Sequence, residues 1–155
     1  MDVQQLLQVS RCRTHVECNS KKRALEIAAG LIADDHPALN ADYVFRQLLG
    51  RERLGSTGLG KGIAIPHCRV ENCTQAIGCL FTLSNKIDFE SVDGEPVDVI
   101  FTLVVPDEAS DAHVHMLADI VKVFNNAHSV DLLRAKKNND DLFQCAIDLF
   151  GSAAS

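Results

Sequence analysis

The sequence predicts an α/β fold of the α+β kind, a mixed β-sheet of about five strands flanked by helices on both faces. Two apolar runs, "AIGCLFTL" and "VDVIFTLVVP", have the texture of strands buried on both sides. Segments before and after them repeat apolar residues at helical spacing, which supplies the covering layers. The chain has 155 residues, 46% of them hydrophobic and 23% charged, which suits one domain over residues 1–155. Only the terminal "GSAAS", residues 151–155, is expected to fray.

Ser20 is the expected cap of a first helix, "KKRALEIAAGLIAD", where Ala24, Ile27, Ala28, Leu31 and Ile32 form one apolar stripe. Pro37 breaks the chain. Asn40 then caps "ADYVFRQLLGRER", whose Val44, Phe45, Leu48 and Leu49 lie three to four apart, and Gly55 ends it. Short "GIAIP" and the two long runs follow as strands, and Pro106 closes the last. In "SDAHVHMLADIVKVFNN", Leu117, Ile120, Val121 and Phe124 repeat at helical spacing again. Ser129 and Asn139 are the expected caps of two closing helices, "VDLLRAK" and "DDLFQCAIDLF".

Composition excludes several classes. No apolar run is long enough to span a bilayer, and "MDVQQLLQVS" lacks the basic and apolar regions of a secretory signal, so a cytoplasmic location is expected. A net charge of −6 argues against nucleic acid as a partner. Lys21, Lys22 and Arg23 read as a solvated helix face. None of the six cysteines has C-x-x-C spacing, so they read as small buried or semi-buried residues.

The chemistry concentrates in "GSTGLGKGIAIPHCRV", from Gly55 to Val70. Its start resembles a phosphate-binding P-loop, but a helix precedes it, a strand follows it, and Gly62 stands where a magnesium-binding hydroxyl is required. A nucleotide site is therefore not expected. Gly55, Gly58, Gly60 and Gly62 can turn several amides to one side and make an anion-holding concavity, to which Ser56 and Thr57 add hydroxyls. A merely flexible surface loop is the alternative. Pro66 cannot donate to a sheet ladder, so the strand should end there and leave His67 at its exposed rim. His113 and His115 form an H-x-H pair. On a helix their rings point about 200° apart, so they do not share a metal ion. With Ser110 or Asp111 as cap, His113 falls in the first helical turn, where the dipole favours an anion.

The motifs "STGLGKGIAIPH", "PVDVIFTLVVP" and "HVHML" together resemble the IIA component of the bacterial phosphoenolpyruvate-dependent phosphotransferase system, mannitol/fructose type. Within it, the chain is most similar to the stand-alone nitrogen-regulatory IIA proteins. The resemblance implies that His67 is the phosphoryl acceptor, carrying phosphate on its tele nitrogen. It further implies that His113 hydrogen-bonds the phosphoryl group, that Arg51 stabilises its charge, and that Ser56, Thr57, Gly58, Gly60 and Gly62 form the surrounding loop. Cys68 departs from the family pattern, which has glycine there, and could tune the loop or make it thiol-sensitive. The same resemblance implies no cofactor and no metal, and a stoichiometric phosphohistidine intermediate rather than an enzyme with independent turnover. An HPr-like phosphocarrier is the implied donor. The implied regulatory targets are proteins such as potassium-transport or sensor-kinase proteins. The alternative is a sugar-transporter IIA that passes phosphate to a IIB domain.

Overall fold

The computed structural model describes residues 5–108 and 110–153. Its strands and helices run in the order β1 (Cys12–Val16), α1 (Lys21–Asp34), α2 (Ala41–Glu52), β2 (Gly58–Gly60), β3 (Ile63–Ala64), β4 (His67–Val70), β5 (Ile77–Ile87), β6 (Val97–Pro106), α3 (Asp111–Phe124), α4 (Ala127–Arg134) and α5 (Asn139–Ala153). The six strands form one mixed sheet in the order β1-β5-β6-β3-β2, with β4 also paired to β6. β5 and β6 form its antiparallel centre, while β1, β3 and β4 join in parallel. The expected fold class holds.

Both faces are covered because the central strands are apolar on both sides. Cys79, Phe81, Ile100 and Val104 pack under α1 and α2 with Leu25, Ile32, Val44 and Leu48. Leu80, Val99, Phe101 and Leu103 face the other way, against Ile120, Phe124, Leu133 and Phe150 of α3, α4 and α5. The alternation along β6 is the two-residue strand period written twice, once for each core.

Helices α1 and α2 start where their caps predict. The Ser20 side chain accepts from the Arg23 amide, and that of Asn40 accepts from the Tyr43 amide at 3.1 Å. At the other end of the chain the caps differ from expectation. Asn126, not Ser129, caps α4, and its side chain accepts from the Ser129 amide; Asn138 Oδ1 accepts from the Asp141 amide at the start of α5. Asn139 is spent elsewhere, its Oδ1 accepting from the Thr14 amide and tying α5 to β1. Helix α5 continues to Ala153, into the segment expected to fray, and Ala154 and Ser155 lie outside the described residues.

The cysteines are all free; Cys12, Cys68 and Cys79 are buried and the others half-buried. Lys21 is not on a solvated face: its Nζ lies 2.9 Å from Glu52 Oε2 and 4.8 Å from the centre of the Phe89 ring. No helix among the described residues is long and apolar enough to cross a membrane.

Candidate functional site

Strand β3 ends at Ala64, just before Pro66 as expected, but the chain resumes at once as β4, which His67 opens. Ile63 pairs with Val99, Ala64 with Ile100 and His67 with Leu103, so β3 and β4 keep one register along β6. The proline interrupts the ladder by lacking an amide proton, yet its carbonyl still accepts from the Leu103 amide at 3.0 Å. His67 therefore sits at a gap inside a strand path rather than at a free end. Alternation turns Cys68 and Val70 into the core under α1 and α2, and sends the half-buried His67 ring to the opposite side.

That side is a cleft of about 580 Å³. Arg51 reaches it from the last turn of α2, His67 from β4, Leu103 from β6, and His113 from the first turn of α3. The three residues singled out for phosphoryl chemistry come from three different elements and line one cavity. His115, two residues on, is exposed and does not line it.

The two rings are set in opposite ways. His67 Nδ1 lies 2.9 Å from the Ile65 carbonyl oxygen, which can only accept, so Nδ1 carries the proton and Nε2 keeps its lone pair. His113 Nδ1 accepts the Ser110 amide at 3.1 Å, which closes the start of α3 and assigns the proton of the neutral ring to Nε2. One ring thus offers a nucleophilic nitrogen and the other an N–H donor. Burial holds the His67 pKa below the usual imidazole value; the Ile65 carbonyl opposes this, the Arg51 charge adds to it, and Glu52 opposes it. We expect the long-range nitrogen–proton spectrum of the protein to report the Nδ1–H form for His67 and the Nε2–H form for His113. On titration the His67 midpoint is expected below about 6.5. A shared tautomer, or a His67 midpoint above that value, would contradict this geometry. The unfolded chain takes up this proton first, so stability is lost as pH falls from about 6.5 toward the lower folded value.

The loop before His67 differs from the anion-holding concavity expected of it. The Thr57 amide and hydroxyl both donate to the Glu52 carboxylate, the Gly58 amide to Ser56 Oγ at 3.0 Å, and the Lys61 amide to Asp93 Oδ2 at 2.9 Å. Ser56 Oγ itself donates to the Phe89 carbonyl. Ser56, Thr57 and Gly58 do line a hollow of about 200 Å³ that shares Arg51 and His67 with the cleft. Gly60 and Gly62 line neither hollow. At Gly62 φ is +86° and a Cβ would meet the Arg134 guanidinium, so the backbone there requires glycine. Gly58 has no room for a side chain because Ser91 packs against it. Cys68 is buried, and burial pushes its pKa up to about 12, which disfavours the reactive thiolate.

Residues 5–147 match the model of the family described as "Phosphoenolpyruvate-dependent sugar phosphotransferase system, EIIA 2". The chain belongs to this family. Among curated relatives, a nitrogen regulatory protein of Pseudomonas aeruginosa is 40% identical over 147 residues, spanning 95% of this chain and 96% of its own length. Among solved structures, the nitrogen regulatory protein IIA-Ntr from Neisseria meningitidis superposes with a TM-score of 0.85 at 33% identity, covering 92% of this chain and 97% of its own. The Escherichia coli IIA-mannitol domain, solved in complex with phosphorylated enzyme IIB-mannitol, shares the fold with a TM-score of 0.75 at 15% identity, covering 94% and 97% of the two chains. The EIIA 2 assignment and the nitrogen-regulatory relatives agree with the family that the loop motif resembles.

Proposed function

We propose that this EIIA 2 protein is a phosphoryl carrier whose phosphorylation state is a regulatory signal, with His67 as the acceptor. The single observation that carries the reading is the His67 ring itself. Its Nδ1 is engaged by Ile65, and among the described residues Nε2 has no hydrogen-bond partner in a cleft that also holds Arg51 and His113. The Nε2 lone pair attacks the phosphorus of a phosphohistidine on an HPr-like carrier. The new N–P bond forms as the carrier's N–P bond breaks, and that electron pair returns to the carrier's imidazole. His67 keeps its Nδ1 proton, so the phosphorylated ring is an imidazolium whose charge the Ile65 carbonyl can oppose. Such a transfer needs in-line placement and donors around the spreading charge. Arg51 has four N–H groups besides the one that reaches Gly55, and His113 has its Nε2–H.

A phosphate on this ring adds roughly two negative charges to the cleft mouth, enough to remake a docking face. The exposed Leu54 and Val114 line that cleft and would lie beside the new charge. The nitrogen regulatory relatives favour this regulatory output, in the cytoplasm, over delivery of phosphate to a sugar-specific IIB domain.

The test is incubation of the purified protein with labelled phosphoenolpyruvate, enzyme I and the carrier. The expected product is a stoichiometric phosphoryl group that is lost in acid and survives alkali, as a phosphoramidate does. Absence of label, or an acid-stable bond, would sink the reading. Adding purified IIB domains separates the two outputs: rapid transfer of label to a IIB domain would favour the transporter alternative.

A further inference from the structure

A buried carboxylate lies behind the site and has no part in the chemistry above. Glu52 is 6% exposed. Its Oε2 accepts Lys21 Nζ at 2.9 Å and the Thr57 amide at 3.2 Å, and its Oε1 accepts the Thr57 hydroxyl. Thr57 is thereby gripped at two atoms by one side chain. The Thr57 carbonyl in turn accepts the Ile65 amide at 3.0 Å, and the Ile65 carbonyl accepts His67 Nδ1 at 2.9 Å. Glu52, Thr57 and Ile65 are all buried, so solvent offers these groups no substitute partners. The path runs Lys21, Glu52, Thr57, Ile65, His67, and every link in it is a hydrogen bond or ion pair.

We infer that Glu52 is a positioning residue for His67, acting through Thr57 and Ile65 to hold the Nδ1–H form of the ring and aim Nε2 into the cleft. This rests on the reading of His67 as phosphoryl acceptor and adds a residue to it. The Ile65 carbonyl could not play this part on its own. It follows a two-residue strand and precedes a proline, which has no amide proton for the ladder, so its direction depends on what holds the Ile65 amide. That hold is Thr57, and Thr57 is fixed by Glu52. Lys21 balances the carboxylate charge, which stops the buried anion from being simply a destabilising element. The charged and titratable groups that bear on the ring are Arg51 and Glu52 from α2, with Cys68 and Arg69 of β4, Asp107 beyond β6 and His113 of α3 lining the same cleft.

The experiment uses the full chain with Glu52→Gln, Thr57→Val and Thr57→Ser, read by His67 nitrogen–proton spectra and by the rate of phosphoryl uptake. Glutamine cannot accept at both atoms, and its loss of charge removes an influence that favours protonation of His67. Glu52→Gln is therefore expected to populate both His67 tautomers, lower its titration midpoint relative to wild type, and slow uptake about tenfold or more. Thr57→Val should mix the tautomers and slow uptake, and Thr57→Ser should restore both. Should Glu52→Gln fail to fold, the Thr57 pair decides alone. Wild-type tautomer and midpoint in the folded variants would overturn the proposal, even with slower uptake, because a merely structural bridge would produce that result. If wild-type protein takes no label from the carrier, the acceptor reading fails, while the tautomer and titration still report on Glu52.

Discussion

Replacement of His67 by alanine is expected to reduce uptake of the acid-labile phosphoryl group to background. Neither His113 nor Cys68 can take its place. His113 Nδ1 is occupied by the Ser110 amide and its Nε2 carries the proton, so this ring presents a donor where a nucleophile is needed. The Cys68 thiol is turned into the core and held protonated. The effect of His67→Ala should thus be a loss of chemistry rather than of fold. The half-buried ring makes one hydrogen bond, to Ile65, and removing it is expected to cost about 1 kcal/mol of stability. Thermal unfolding near the wild-type midpoint, with no label, is the expected pair of results. His113→Ala and Arg51→Met separate acceptor from helpers. Each removes one donor to developing charge, which typically costs ~3 kcal/mol, about a hundredfold in rate, with labelling still detectable at long times. Wild-type uptake by His67→Ala would transfer the acceptor role to another residue, and a rate unmoved by either helper substitution would remove that residue from the site.

The parts of this arrangement legible in the sequence are those set by local rules. Ser20 and Asn40 announce their helices because an N-cap acts within a single turn, and the long apolar runs announce β5 and β6 because both faces of those strands are buried. His67, Arg51 and His113 stand out partly on spacing and chiefly on a family resemblance; their common cleft depends on β4, α2 and α3 meeting in space. What escapes the sequence depends on partners distant in the chain. Strand β1, "CRTHV", carries polar residues and reads as no strand, yet it pairs with β5 and its Thr14 amide is met by Asn139. The loop amides look free to hold an anion because Glu52 and Asp93, which occupy those of Thr57 and Lys61, cannot be assigned to them from glycine spacing. Pro66 hides the continuity of β3 and β4, since a proline on a ladder normally marks its end. Ser129 and Asn139 carry the right cap chemistry three residues and one residue late, because Asn126 and Asn138 also carry it.

Phe101→Ala is expected to cost about 3–5 kcal/mol of stability, the upper range for a single truncation in a core. Phe101 is fully buried at the centre of β6, and its ring lies 5.5 Å from that of Phe124 and 5.7 Å from that of Phe150. It therefore joins the sheet to α3 and α5 at once. Across the sheet it sits over Gly78, where a Cβ would approach its Cζ to 2.9 Å, so the ring fills space that β5 leaves open for it. Truncation leaves a cavity bounded by strand backbone on one side and by two aromatic rings on the other, a wall that can relax only in part. For a chain of this size the loss corresponds to a fall in melting temperature on the order of 6–20 °C. Phe101→Leu, which keeps most of the volume, should lose much less. Function should follow the fold here. Phe101 and Leu103 share the same core, Leu103 pairs with His67, and α3 carries His113 into the cleft. Well below its lowered midpoint the variant should still take up label, with slower transfer as α3 loosens. Chemical denaturation returning a loss under about 1 kcal/mol for Phe101→Ala would mean that this core repacks freely, and that the distance from β6 to α3 is not what holds the two histidines in register.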